Sequence, residues 1–179
     1  LLSDGATVAN YQPGNFTGTL NASAWLNSIG AAGSLAQATG ANQPIVLPFS
    51  GSKYGWLPGV AGNYFSTPSA VANRITGDID IRCQVAMDDW TPAAVNTFIS
   101  KDSVGTRSYV FQSTSASDGK LSVVWFEATV AKIRTSTAAV AFADGTSGWI
   151  RVTVDVDNGA GGNDVIFYTS TDGSVWTQL

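Results

Sequence analysis

Apolar and polar residues alternate strictly in two stretches of the chain. In DIDIRCQVA, Ile79, Ile81, Cys83 and Val85 fall on one side, and Asp78, Asp80, Arg82 and Gln84 fall on the other. In GWIRVTVDVD (148–157), Ile150, Val152, Val154 and Val156 share a side opposite Trp149, Arg151, Thr153 and Asp155. A period of two predicts strands with one face in a core and the other wet. Shorter runs with turn signals between them read the same way. TFISKD (97–102) and RSYVFQST (107–114) form a hairpin around Ser103 to Thr106, and SASDG (115–119) turns into KLSVVWFEA (120–128). AKIRTST (131–137) continues the sheet, NGAGGN (158–163) is a turn, and DVIFYTST (164–171) pairs back. Asp172-Gly173 makes a tight hairpin turn before SVWTQL.

Many short strands at regular spacing, with almost no helix, predict an all-β protein built as an antiparallel β-sandwich. The first part of the chain differs. Residues 1–45 keep neither period and read as an extended arm, with a bend at Pro13-Gly14 and room for one short helical turn in ASAWLNSIGAAGSLAQATGANQP. PIVLPFSG, a short apolar run between prolines, suggests an edge strand; the sandwich is expected over residues 46–179, with 77–87 as its opening strand. The last strand follows its hairpin closely. The sandwich is therefore expected to be incomplete at its C-terminal end unless further chain, the arm or another subunit supplies an edge.

Composition narrows the chemistry. Charged residues make up 12% of the 179 residues and the net charge is -4. No basic patch is present to neutralise phosphates, which argues against nucleic acid. No apolar run approaches the length of a membrane span. Histidine is absent, which removes Ser-His-Asp and Cys-His catalysis and nearly all catalytic zinc designs. The single cysteine, Cys83, lies on the apolar side of its strand and reads as a buried, inert thiol.

The stretch YFSTPSAVANRITGDIDIRCQVAMDDWTP resembles the entry strand of concanavalin A-like domains (laminin-G-like, lectin and glucanase jelly rolls) carried by tailed bacteriophages. The features of that resemblance stand at 64–90, at TFISK (97–101), at GWIRVTVDVDNG (148–159) and at STDGSVWTQL (170–179). AWLNSIGAAGSLAQATGANQPIV is similar to the lead-in of such proteins. The resemblance implies a concanavalin A-like jelly roll and a virion protein. Its work would be structural: decorating or cementing a capsid, or forming part of a tail or fibre. The implied partners are other virion proteins, further copies of the chain and a host surface glycan. The alternative function is a glycan-binding adhesin of the tail, and a glycoside hydrolase ranks third. One fold hosts all three, so the residues must decide between them.

For hydrolysis, two carboxylates about 5–5.5 Å apart would be needed for a retaining reaction. The chain has one glutamate, Glu127, with no second acid close by in sequence. Asp78 and Asp80 share a strand face, but Arg82 follows on the same face, and a solvated mixed-charge face is the plainer reading. The chain is therefore expected not to be an enzyme. For sugar binding, an exposed ring stacks on the sugar while polar groups fix its hydroxyls. Among Trp56, Tyr64, Trp90, Trp149 and Trp176, the candidates are Trp149, beside Arg151 on a polar strand face, and Trp90, which follows Asp89. The opposing reading is that tryptophans fill sandwich cores and edges. For calcium, DVDNGAGGND places Asp155, Asp157 and Asp164 near one turn, with Asp88-Asp89 a weaker second site. No glutamate closes the loop as a calcium loop requires, and Asp and Asn are themselves turn formers, so no cofactor is expected unless it is Ca2+. Ser170, Asp172, Gly173 and Trp176 resemble an Asp-box hairpin one residue short, for which a glycine-containing turn is the better account.

Overall fold

The computed structural model describes residues 11–17, 23–27, 33–49, 52–56 and 64–179. The chain divides into two compact units, Leu1–Asn73 and Arg74–Leu179. This division falls later than the 45/46 boundary suggested by the change in composition. PIVLPFSG is paired within the first unit.

In the first unit, β1 (Tyr11–Thr17), β2 (Ala24–Asn27) and β3 (Leu35–Ala36) form a three-stranded antiparallel sheet in that order. The β1–β2 register shifts between Tyr11 and Phe16, the interval that contains Pro13-Gly14. A proline cannot donate to the ladder, so the expected bend appears as an irregularity inside a strand. The described residues of this unit hold two 3-10 turns, at Gly40–Asn42 and Val71–Asn73. β4 (Ile45–Phe49) and β5 (Ser52–Trp56) form a two-stranded ladder. Buried Gln37 fastens the segment, donating from Nε2 to the Tyr64 carbonyl at 3.0 Å while its own carbonyl accepts from Gln43 Nε2 at 3.0 Å. Residues 1–10, 18–22 and 28–32 of the predicted arm lie outside the described residues.

The second unit is an antiparallel β-sandwich. Its strands are β6 (Ile79–Ala86), β7 (Thr97–Lys101), β8 (Tyr109–Ser113), β9 (Leu121–Glu127), β10 (Val130–Thr135), β11 (Ser147–Asp155), β12 (Asp164–Ser170) and β13 (Thr177–Gln178). One sheet runs β13-β12-β11-β6, the other β10-β9-β8-β7. The chain leaves the first sheet after β6, meanders through the second, and returns to pair β11 against β6 and then β12. Each predicted strand of this region is present, within a few residues of its expected ends.

The core lies between the two sheets. Ile79, Ile81, Ile150, Val152, Val154 and Phe167 from one face meet Phe111, Leu121, Val123 and Trp125 from the other. The Phe111 and Phe167 rings are 6.5 Å apart across the gap. β11 buries every second residue, so the alternation in its sequence is the alternation in its burial. Cys83 and Val85 are less enclosed than Ile79 and Ile81 but pack against the same core. Although Cys83 as a whole keeps some exposure, its thiol is desolvated, and burial pushes it up to about 12. Among the described residues, no helix is long and apolar enough to cross a membrane.

Candidate functional site

The outer face of β6-β11-β12-β13 collects the polar half of each alternating strand. Register sets its rows: Gln84, Trp149 and Ser170 lie side by side, then Arg82, Arg151, Tyr168 and Gln178, then Asp80, Thr153 and Ile166. Arg151 stands at the centre. Its guanidinium lies 5.0 Å from the Tyr168 ring centroid and 5.7 Å from that of Trp176, which precedes β13. Such placement orients a cation by the ring quadrupole as well as by contact. Trp149 lies one row away under the β12–β13 turn, where a Cβ on Gly173 would fall 2.8 Å from its Cε2. Gly173 has φ +75°, so both space and backbone favour glycine there.

Asp80 binds two arginines at once. Arg151 donates from Nε to Oδ1 and from Nη2 to Oδ2, each at 2.9 Å. Arg82 donates from Nε to Oδ1 at 3.1 Å and from Nη2 to Oδ2 at 2.5 Å. Partial burial of the Asp80 carboxyl opposes its ionisation, but the hydrogen bonds from Arg82 and Arg151 outweigh that and hold it below its ordinary value. The same carboxylate pushes the Arg151 guanidinium up. The trio alone carries one net positive charge, while Asp78, Asp155 and Asp164 beside it add three carboxylates with no ion-pair partner among the described residues. Beside the cluster, an open cavity of about 430 Å3 is lined by Asp78, Asp80, Thr153, Asp155, Asp164 and Ile166.

The turn after β12 is held from within. Asp172 Oδ1 accepts from the backbone N–H groups of Ser174 at 2.7 Å and Val175 at 2.9 Å, and from the Ser170 hydroxyl at 2.9 Å. These bonds, the Val175 and Ser174 N–H groups first, hold the Asp172 carboxyl below its ordinary range. The Asp-box likeness is thus a self-capped hairpin, and its place in the site is to set Gly173 over Trp149 and carry Trp176 to Arg151.

The other candidate residues have structural partners. Trp90 is 4% exposed, so it offers no ring face to a sugar. Its backbone N–H donates to Asp144 Oδ1 at 2.8 Å, its indole N–H to the Thr146 carbonyl at 3.1 Å, and its ring packs on Phe142 at 5.0 Å. It ties together the two crossovers between the sheets, at 87–96 and 136–146. Asp89 caps its own turn, accepting from the Thr91 N–H at 2.7 Å and hydroxyl at 2.9 Å. Asp155 accepts from the Asp157 N–H, Asp157 from the Gly159 N–H, and Asp164 from Asn158 Nδ2. Among the described residues, no group of three or more acidic, cysteine or histidine side chains is placed to hold a metal ion. Glu127 accepts from Trp125 Nε1 at 3.0 Å and Asn163 Nδ2 at 2.8 Å, with Lys132 at 3.7 Å, and so links β9 to the β11–β12 turn.

Of the residues read from sequence as a glycan site, the structure leaves Trp149 and Arg151 together on one face and takes Trp90 and Asp89 elsewhere. Tyr168, Trp176, Asp80 and Arg82 complete the cluster. The Asp172-Gly173 turn is the local signal for Trp176, because it starts the hairpin that brings β13 beside Tyr168. Tyr168 is placed by the β11–β12 register, and Asp80 and Arg82 by the β6–β11 register. No family model matches the chain, and neither a curated protein nor a solved structure shows significant similarity to it.

Proposed function

We propose that the protein is a component of a bacteriophage particle that presents its sandwich as a non-catalytic binding module, with the outer face of β6-β11-β12-β13 directed at a host surface glycan. The observation that carries the binding role is the packing of Arg151 on Tyr168 and Trp176, with Trp149 one row along on the same sheet face. Aromatic planes beside charged hydrogen-bonding groups suit the apolar faces and hydroxyls of a sugar. A sheet is also a rigid support for such a site. The viral setting rests on the resemblance carried by residues 64–90, 97–101, 148–159 and 170–179. A binding rather than a hydrolytic role is supported by the use of Glu127, which holds an indole and an amide in place.

A second reading, capsid decoration or a structural part of the tail or fibre, is favoured by the sheet edges. Among the described residues, β6, β7 and β10 each lack a second strand partner. Free edges are surfaces on which neighbouring copies or other virion proteins pair. Immunogold labelling of purified virions with an antibody against this chain separates the readings. Gold at the tail tip or fibres is expected for the adhesin, and gold over the head would favour decoration. Virions without gold would overturn both.

A further inference from the structure

Resting on the glycan reading of the outer face, we infer that the ligand is an acidic saccharide whose carboxylate sits against the Arg82–Arg151 pair. The two arginines are directly opposite each other in the β6–β11 register. Like charges placed so are destabilising unless an anion joins them. Asp80 joins them, but each guanidinium spends only Nε and Nη2 on it. Neither Nη1 has a hydrogen-bond acceptor among the described residues. Two fixed, charged donors therefore remain, on side chains 27% and 21% exposed and on the Trp149 side of the Asp78, Asp155 and Asp164 carboxylates.

Bidentate geometry and packing on Tyr168 and Trp176 already hold Arg151, so little ordering is left for an arriving anion to impose. Charge-assisted bonds to carboxylate are the strong kind available to a guanidinium. A sugar ring bearing that carboxylate would lie over the same face as Trp149. A neutral sugar would offer the two Nη1 groups only uncharged acceptors.

The test is calorimetric titration of the full chain with an oligogalacturonide and with a neutral galacto-oligosaccharide of equal length, at low and high salt. The acidic oligomer is expected to bind at least about tenfold more tightly, a preference that salt weakens. Arg82→Gln is expected to erase that preference without lowering the melting temperature. Should Arg82→Gln unfold the chain, Asp80→Asn serves instead. Removing the competing carboxylate is expected to tighten the acidic oligomer and leave the neutral one unchanged. Equal binding of both oligomers, insensitive to Arg82→Gln and Asp80→Asn but lost in Trp149→Ala, would overturn the acidic ligand and leave the glycan reading standing. Binding of neither would overturn both.

Discussion

The two faces of the β6-β11-β12-β13 sheet are made by the same strands and do opposite things. The inner face carries Ile79, Ile81, Ile150, Val152, Val154 and Phe167, all nearly or fully enclosed. The outer face carries Asp80, Arg82, Trp149, Arg151 and Tyr168, all partly open to solvent. The inner face needs only volume and apolarity. The outer face needs particular groups in particular rows, because each guanidinium and ring is placed by the one opposite it. Fold and binding are thus written at alternate positions of one strand, and single substitutions on β11 should separate them.

The largest effect is expected on the inner face. Ile150 is 0% exposed, and Ile150→Ala should cost about 2–5 kcal/mol by denaturant unfolding. Gly148 comes next, because a Cβ there would fall 2.2 Å from the Phe142 ring that packs on Trp90. Gly148→Ala should cost about 1–3 kcal/mol through forced displacement of that ring. Removing the Glu127 carboxylate strands the Trp125 indole N–H, itself on a side chain 2% exposed. Glu127→Ala should then lower stability by about 1–3 kcal/mol, while Glu127→Gln, which keeps an acceptor, should lower it less.

The outer face should answer to pH instead. The folded Asp80 carboxyl titrates below its ordinary value of 3.8, so its ion pairs contribute stability that is fully present above that value and lost as pH falls through the lower folded one. Acid unfolding of Asp80→Asn should lack this component. Arg82→Gln, on a partly exposed side chain, should change stability at neutral pH by less than about 1 kcal/mol. The smallest effect is expected at Cys83: its raised thiol pKa should leave it unreactive toward a disulfide reagent at neutral pH until the chain unfolds.

The contrast also explains what could be read from sequence. β6 and β11 were legible because their period is unbroken over eight and nine residues, and the β12–β13 turn because Asp-Gly fixes it locally. β1, β2 and β3 were not. Strands of seven, four and two residues, the first interrupted by Pro13-Gly14, are too short or too irregular to show a period. Trp149 and Arg151 were placed on their face by alternation alone. For Trp90 the sequence leaves platform and core filler both open, because its partners Phe142, Asp144 and Thr146 are more than fifty residues away and belong to another crossover. The Asp80 bridge was hidden for the same reason. Its bond to Arg82 is two residues away, but its bond to Arg151 requires the β6–β11 register. Local chemistry declares turns and strand faces, whereas a site assembled across strands appears once register is known.

The central claim is that the outer face binds and the inner face folds. The most direct test is to titrate Trp149→Ala with a saccharide that the unaltered chain binds, after matching the two by circular dichroism and melting temperature. Loss of binding with the fold intact is the predicted result. Unchanged affinity in a folded Trp149→Ala chain would contradict the claim.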